Sequence, residues 1–165
     1  MKPKSVSNAG GFDYQNQIAV LNTGELQLAE GAVLQLKSDY KGAECAHLTT
    51  IFSKDLDAFF TGDFCYNDVH LWLAVDKEDI VHWKAQLVEF IKTWDRKSLT
   101  VYPGHGGKSD LSLFHKVFTY IEDFERTVAT ARDREEAMQK MKTLYPNHKQ
   151  ADFLLFHSVN AFIEG

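Results

Sequence analysis

The chain has no apolar run of about 18 residues, so nothing in it reads as a membrane-spanning helix. It has no block of basic residues, and a net charge of −5 argues against nucleic acid as a partner. Its opening stretch, MKPKSVSNAGGFDY, carries basic residues but no apolar core, so it does not read as a signal peptide. Cys45 and Cys65 are the only cysteines, too few for a disulfide framework, and the cytoplasm is the default compartment. No internal repeat, low-complexity tract or interdomain linker is visible. What is present is ordinary for a globular protein: 165 residues, 44% hydrophobic and 25% charged, enough for one domain with a core. Aromatic residues reach 13%, and Phe is frequent toward the C-terminus, which points to large buried contacts and a possible subunit interface.

Residues 1–16 are polar and glycine-containing and read as a flexible arm, leaving 17–165 as a single domain. The first half is patterned as strands. IAVL (18–21) is a short apolar run, while ELQL (25–28) and AVLQLKS (32–38) alternate apolar and polar residues. AECAHLTTIFS (43–53) reads as a further strand, and LDAFFTG (56–62) as another that ends at Gly62-Asp63. The period then changes. Ile80, Trp83, Leu87, Phe90, Ile91 and Trp94 form a helical stripe over 77–94. LTVY (99–102) is a buried strand stopped by Pro103-Gly104. Ser109 or Asp110 caps a helix running to about Ala131, with a stripe from Leu113 to Val128. Asp133 and Glu136 make a capping box for a helix to about Leu144, and a last helix covers about 149–163. Strands followed by helix, strand and three helices define an α/β or α+β layered fold.

Three polar residues fall where these strands end or bend: His47 in ECAHLTT, Asp63 in FFTGDF and His105 in VYPGHGG. Each alone has a bland reading, as a hydrogen-bonded strand histidine, a turn aspartate and a turn imidazole. Together they occupy the sheet edge where α/β folds place their sites, and they are ligand types that zinc, iron or manganese accept. The set FTGD followed by PGHG, with a histidine segment before them, resembles the C-terminal half of metallo-β-lactamase-fold hydrolases. NDVHLWL (67–73) is similar to one hydrolase branch of that family. The resemblance covers about residues 17–165. It implies half of an αββα sandwich, a mixed sheet covered on one face by helices. It also implies His47 on a first metal, Asp63 bridging two, and His105 on the second, with a metal-bound hydroxide as nucleophile.

The departure from the family is severe. The HxHxDH motif that supplies most ligands of the first metal is absent, and no histidine precedes His47. His47, Asp63 and His105 leave about two ligands per ion, where catalytic zinc takes about three and structural zinc four. Cys45, two residues before His47 and on the same side if the segment is a strand, and Cys65, two after Asp63, could repair the count. Both also read as small buried hydrophobes. Tyr66, His70, Gly104 and Gly106 are expected to line the same pocket, although His70 could equally cap a turn near Asn67-Asp68. His82, His115, His148 and His157 read as structural or solvated. Half a sandwich leaves one apolar sheet face bare, and the expected cover is a second copy related by a two-fold axis, with a separate protein as runner-up. That the sequence is a fragment is the third possibility, against which Met1 weighs slightly. Two functions follow. One is a metallo-β-lactamase-like hydrolase homologue with an incomplete two-metal site, inactive or weakly active unless dimerisation or a partner completes it. Zinc, or else manganese or iron, would be its metal. The other is a non-catalytic dimeric module binding a small molecule or a protein. No residue marks the substrate.

Overall fold

Short alternating runs separated by turn residues build the first half of the molecule. In the computed structural model, which describes residues 23–94 and 98–163, these runs are β1 (Glu25–Gln27), β2 (Val33–Lys37), β3 (Thr50–Ser53) and β4 (Ala58–Tyr66). They form an antiparallel meander. The helix α1 (Lys77–Thr93) then crosses over to β5 (Thr100–His105), which pairs parallel to β4. The described residues thus hold a mixed five-stranded sheet in the order β1-β2-β3-β4-β5. The expected arm at 1–16 and the strand at 18–21 lie outside the described residues.

Two strands are longer than their sequences imply, and one is shorter. β4 runs through Asp63 to Tyr66 instead of ending at Gly62-Asp63, and β5 runs through Pro103-Gly104 to His105. The ladder between them survives because it shifts register at Gly62, whose φ is +55°, and Gly62 pairs with Pro103. Pro103 lacks an N–H but sits on the edge strand, where no second ladder needs one. The expected strand at 43–53 forms only over Thr50–Ser53. Gly42, at φ +124°, turns the chain, and Ala43 and Leu48 are buried at a spacing no strand face allows. Cys45 and His47 therefore do not share a strand face; they stand on an exposed loop.

The C-terminal half follows its periodicity. α2 (Ser112–Thr130) buries Leu113, Phe114, Val117, Tyr120, Ile121 and Phe124. Each such side chain contributes about 1.5–3 kcal/mol on leaving water. Asp110 Oδ1 accepts the Ser112 N–H at 2.8 Å at its start. At α3 (Arg134–Leu144) the capping arrangement is offset by one residue. Asp133 accepts the Glu136 N–H at 2.8 Å, while Glu136 accepts the Arg132 N–H at 2.9 Å. The last helix opens as a π-helical turn (Ala151–Leu155) after Gln150 in left-handed backbone, and continues as α4 (Phe156–Phe162). Among the described residues no helix is long and apolar enough to cross a membrane.

All the helices with a buried stripe feed one core on one face of the sheet. Phe52, Phe59 and Val101, paired across β3, β4 and β5, point into it. Phe59 meets Phe90, Trp94 and Phe114 at ring separations of 5.3, 4.9 and 6.2 Å. The Trp83 Nε1–H donates to the Phe64 carbonyl at 3.0 Å, fixing α1 against β4. Alternation sends the next residue of each strand to the opposite face. There Leu36, Ile51, Phe60 and Tyr102 stand directly beside one another across β2 to β5, and Leu34 and Leu26 continue the row to β1. None of these six belongs to the core or packs against it. Leu26 is 40% and Phe60 36% exposed, so among the described residues an apolar row crosses the sheet on the face away from the helical core.

Candidate functional site

The shifted β4–β5 ladder sets Asp63 beside His105. Asp63 Oδ1 lies 3.5 Å from His105 Nε2, and both side chains are more than a third exposed. His105 is held from three sides. Its carbonyl accepts the Asn67 N–H at 3.0 Å. Its ring lies on that of Tyr66, with centroids 4.5 Å apart and planes at 26°. The Tyr66 and His105 Cα atoms are register partners. The Asn67 Nδ2 donates to the Gly107 carbonyl at 3.0 Å, pinning the glycine turn beyond.

The glycines around His105 are required by close approach, and what they approach is the protein itself. A Cβ on Gly104 would lie 2.0 Å from Asp63 Oδ1 and 2.8 Å from the Gly62 carbonyl carbon. A Cβ on Gly106 would lie 2.0 Å from the Asn67 carbonyl oxygen, and Gly106 adopts φ +88°. At Gly107 the space is open. Two of the three glycines thus let β5 and its turn close on β4.

Glu44 joins the site without having been marked by any motif. The Tyr66 hydroxyl donates a short hydrogen bond to Glu44 Oε2. Burial raises the Glu44 pKa, the Tyr66 bond opposes this, and Asp63 raises it further while His105 lowers it. Tyr66 is pushed well above its ordinary range, first by burial and then by its bond to Glu44, so it stays a neutral donor. The only hint in the sequence is a carboxylate in ECAH three residues before His47.

The other expected residues divide. His47 is exposed on the 41–49 loop, and the nearby Cys45 Sγ donates to the His47 carbonyl at 3.3 Å. Cys65 is fully buried and its thiol is pushed up to about 12 by burial, so it packs as a hydrophobe. His70 is also fully buried, with Nδ1 2.7 Å from the Tyr120 hydroxyl and Nε2 without a partner among the described residues. Burial, with His148 and Lys142 nearby, lowers its pKa to about 4.

Asp63 and His105 are one carboxylate and one imidazole, and Glu44 is already committed to Tyr66. Among the described residues no group of three or more His, Cys, Asp or Glu is arranged to hold a metal ion. This donor set does not fit zinc, which takes about three or four protein ligands.

No protein-family model and no curated protein matches the chain. Solved structures match it by fold. A metallo-β-lactamase from Pontibacter korlensis aligns with a TM-score of 0.50 and 16% identity, over 62% of this chain and 47% of that one. The DIM-1 metallo-β-lactamase aligns with a TM-score of 0.46 and 18% identity, over 66% of this chain and 50% of that one. The chain spans about half the length of the solved structures it matches. The described residues have the fold of part of a metallo-β-lactamase domain, a mixed sheet with its helices on one face.

Proposed function

We propose that this chain is one half of a metallo-hydrolase-type unit, with an incomplete metal site and no hydrolytic activity by itself. The observation that carries the reading is the Asp63–His105 pair, 3.5 Å apart where two parallel strands run out, with no third free donor beside it among the described residues. In this reading Asp63 orients the imidazole, Tyr66 fixes its plane, and Glu44 fixes Tyr66. Any further ligands would come from a second copy or a partner. The row from Leu26 to Tyr102 is where a second sheet packs, and a second copy presenting the same row across a two-fold axis is the simplest cover. Five strands at about 4.8 Å spacing and about five residues of length give a face of about 400 Å² in projection. With side-chain relief, two such faces approach the area of a standard interface, on the order of 1,000 Å² or more in total. Cys45 and Cys65 are free thiols, which accords with the cytoplasm.

The lack of a third donor among the described residues equally favours a non-catalytic binding module on the same fold, and one experiment separates the incomplete site from a working one. Protein purified without added metal is assayed for metal content and titrated calorimetrically with zinc. The expected result is far less than one zinc per chain and no tight uptake. Stoichiometric zinc that disappears in Asp63→Ala would overturn the incomplete-site reading.

A further inference from the structure

A cavity of about 500 Å³ lies between the 66–71 segment, the first turns of α2 and the turn after α3. That is within the usual size of a small-molecule pocket. Leu71, Leu113 and Val117 form an apolar floor. The walls are aromatic: Tyr66, Tyr120, Tyr145 and His148. All three tyrosine hydroxyls are engaged elsewhere. Tyr66 bonds Glu44, the Tyr120 hydroxyl lies 2.7 Å from His70 Nδ1, and Tyr145 donates to Asp123 Oδ2 at 2.6 Å. The rings are therefore locked; Tyr66 and Tyr120 are buried, and the half-buried Tyr145 and His148 offer π surface to an occupant.

The geometry of those rings selects the occupant. Tyr120 and His148 are stacked at 5.7 Å and 9°, and Tyr145 packs on both at 4.6 and 4.8 Å. Rings in mutual contact make a continuous wall, not the open cage that surrounds a cation. Burial lowers the His148 pKa, which leaves it a neutral ring in that wall. Lys116, on the exposed side of α2, lines the cavity and has no ion pair among the described residues. His115 lies beside it. Asp68, on the facing segment, is the one carboxylate that lines the space, and its charge acts on His148.

We propose that this cavity binds a flat aromatic carboxylate, its ring against Tyr145 and His148, which Tyr120 backs, and its acid group on Lys116. Tyr66 both lines the cavity and stacks on His105, so the occupant lies one ring away from the Asp63–His105 pair. The inference stands on the cavity and does not need the metallo-hydrolase reading.

The test is a titration of the metal-free, ¹⁵N-labelled protein with 2-naphthoate, followed by amide shifts, with 2-naphthylmethylammonium as the cationic counterpart. Saturable shifts confined to 66–71, 112–120 and 145–148 are expected for the acid and not for the amine. Lys116→Glu, at an exposed position, is expected to weaken binding at least tenfold, and Thr119→Trp, which fills the cavity from its rim, to abolish it. Absence of saturable shifts there, an equal response to the amine, or undiminished binding by Lys116→Glu would overturn the proposal. Asp63→Asn is expected to bind as the wild type does, so failure here and failure of the metal-site reading are distinguishable.

Discussion

His70 makes the protein acid-sensitive in a way that can be worked out in advance. Its ring is fully buried, one nitrogen on Tyr120 and the other unpaired among the described residues, and it stays neutral until about pH 4. In the unfolded chain it takes up a proton near pH 6.5. Between these two values the unfolded state binds more protons than the folded one, so stability falls as pH falls. The contribution is fully present above about pH 6.5 and is lost progressively down to about pH 4. The gap between the two pKa values is worth about 3 kcal/mol, which for a domain of this size is on the order of 10 °C in Tm. His148, lowered as well by burial, acts in the same direction. His70→Asn removes the titration while placing an amide where Nδ1 meets Tyr120. Urea unfolding of both proteins from pH 7.5 to pH 4 isolates the effect, because packing losses in the variant are the same at every pH. The stability difference in favour of the wild type is expected to shrink by about 3 kcal/mol on acidification. Parallel pH profiles would refute the burial argument.

The glycines of the β5 turn provide a graded test of the close approach. Gly104→Ala, whose Cβ would strike Asp63 and the β4 backbone, is expected to cost about 2–3 kcal/mol and to shift the His105 imidazole resonances. Gly107→Ala, where nothing lies within 4 Å, is expected to stay within about 0.5 kcal/mol of wild type in the same chemical denaturation.

How much of this was readable beforehand depended on range. The helical stripes of α1 and α2 are local patterns, and Ile80, Trp83, Leu87 and Phe90 are buried as the period of 3.6 requires. FTGD and PGHG located Asp63 and His105, because close-packed glycines leave a signature in the chain. The strand ends were misplaced because a bulge at Gly62 and an edge position for Pro103 are properties of the pair of strands, and neither strand shows them alone. The 43–53 segment misled for a related reason. Leu48 and Phe52 are apolar at a spacing that alternation tolerates, but Ala43 is out of phase with both, and Gly42 at positive φ turns the chain. Glu44 was missed with it, since its partner Tyr66 is 22 residues away. His70 stood among apolar neighbours in VHLWL, yet its partner Tyr120 is 50 residues away, beyond the reach of any local pattern.

A row of apolar side chains that, among the described residues, lies on the sheet face away from the core underlies the reading of this chain as half of a sandwich. Sedimentation equilibrium at micromolar concentration, on the wild type and on Phe60→Glu, tests it most directly. The charge would sit in the middle of the row formed by Leu36, Ile51 and Tyr102, on the face away from the core, so the fold is expected to survive it. A dimeric wild type and a monomeric Phe60→Glu are predicted. A wild type that remains monomeric, or a Phe60→Glu variant that remains dimeric, would contradict the account.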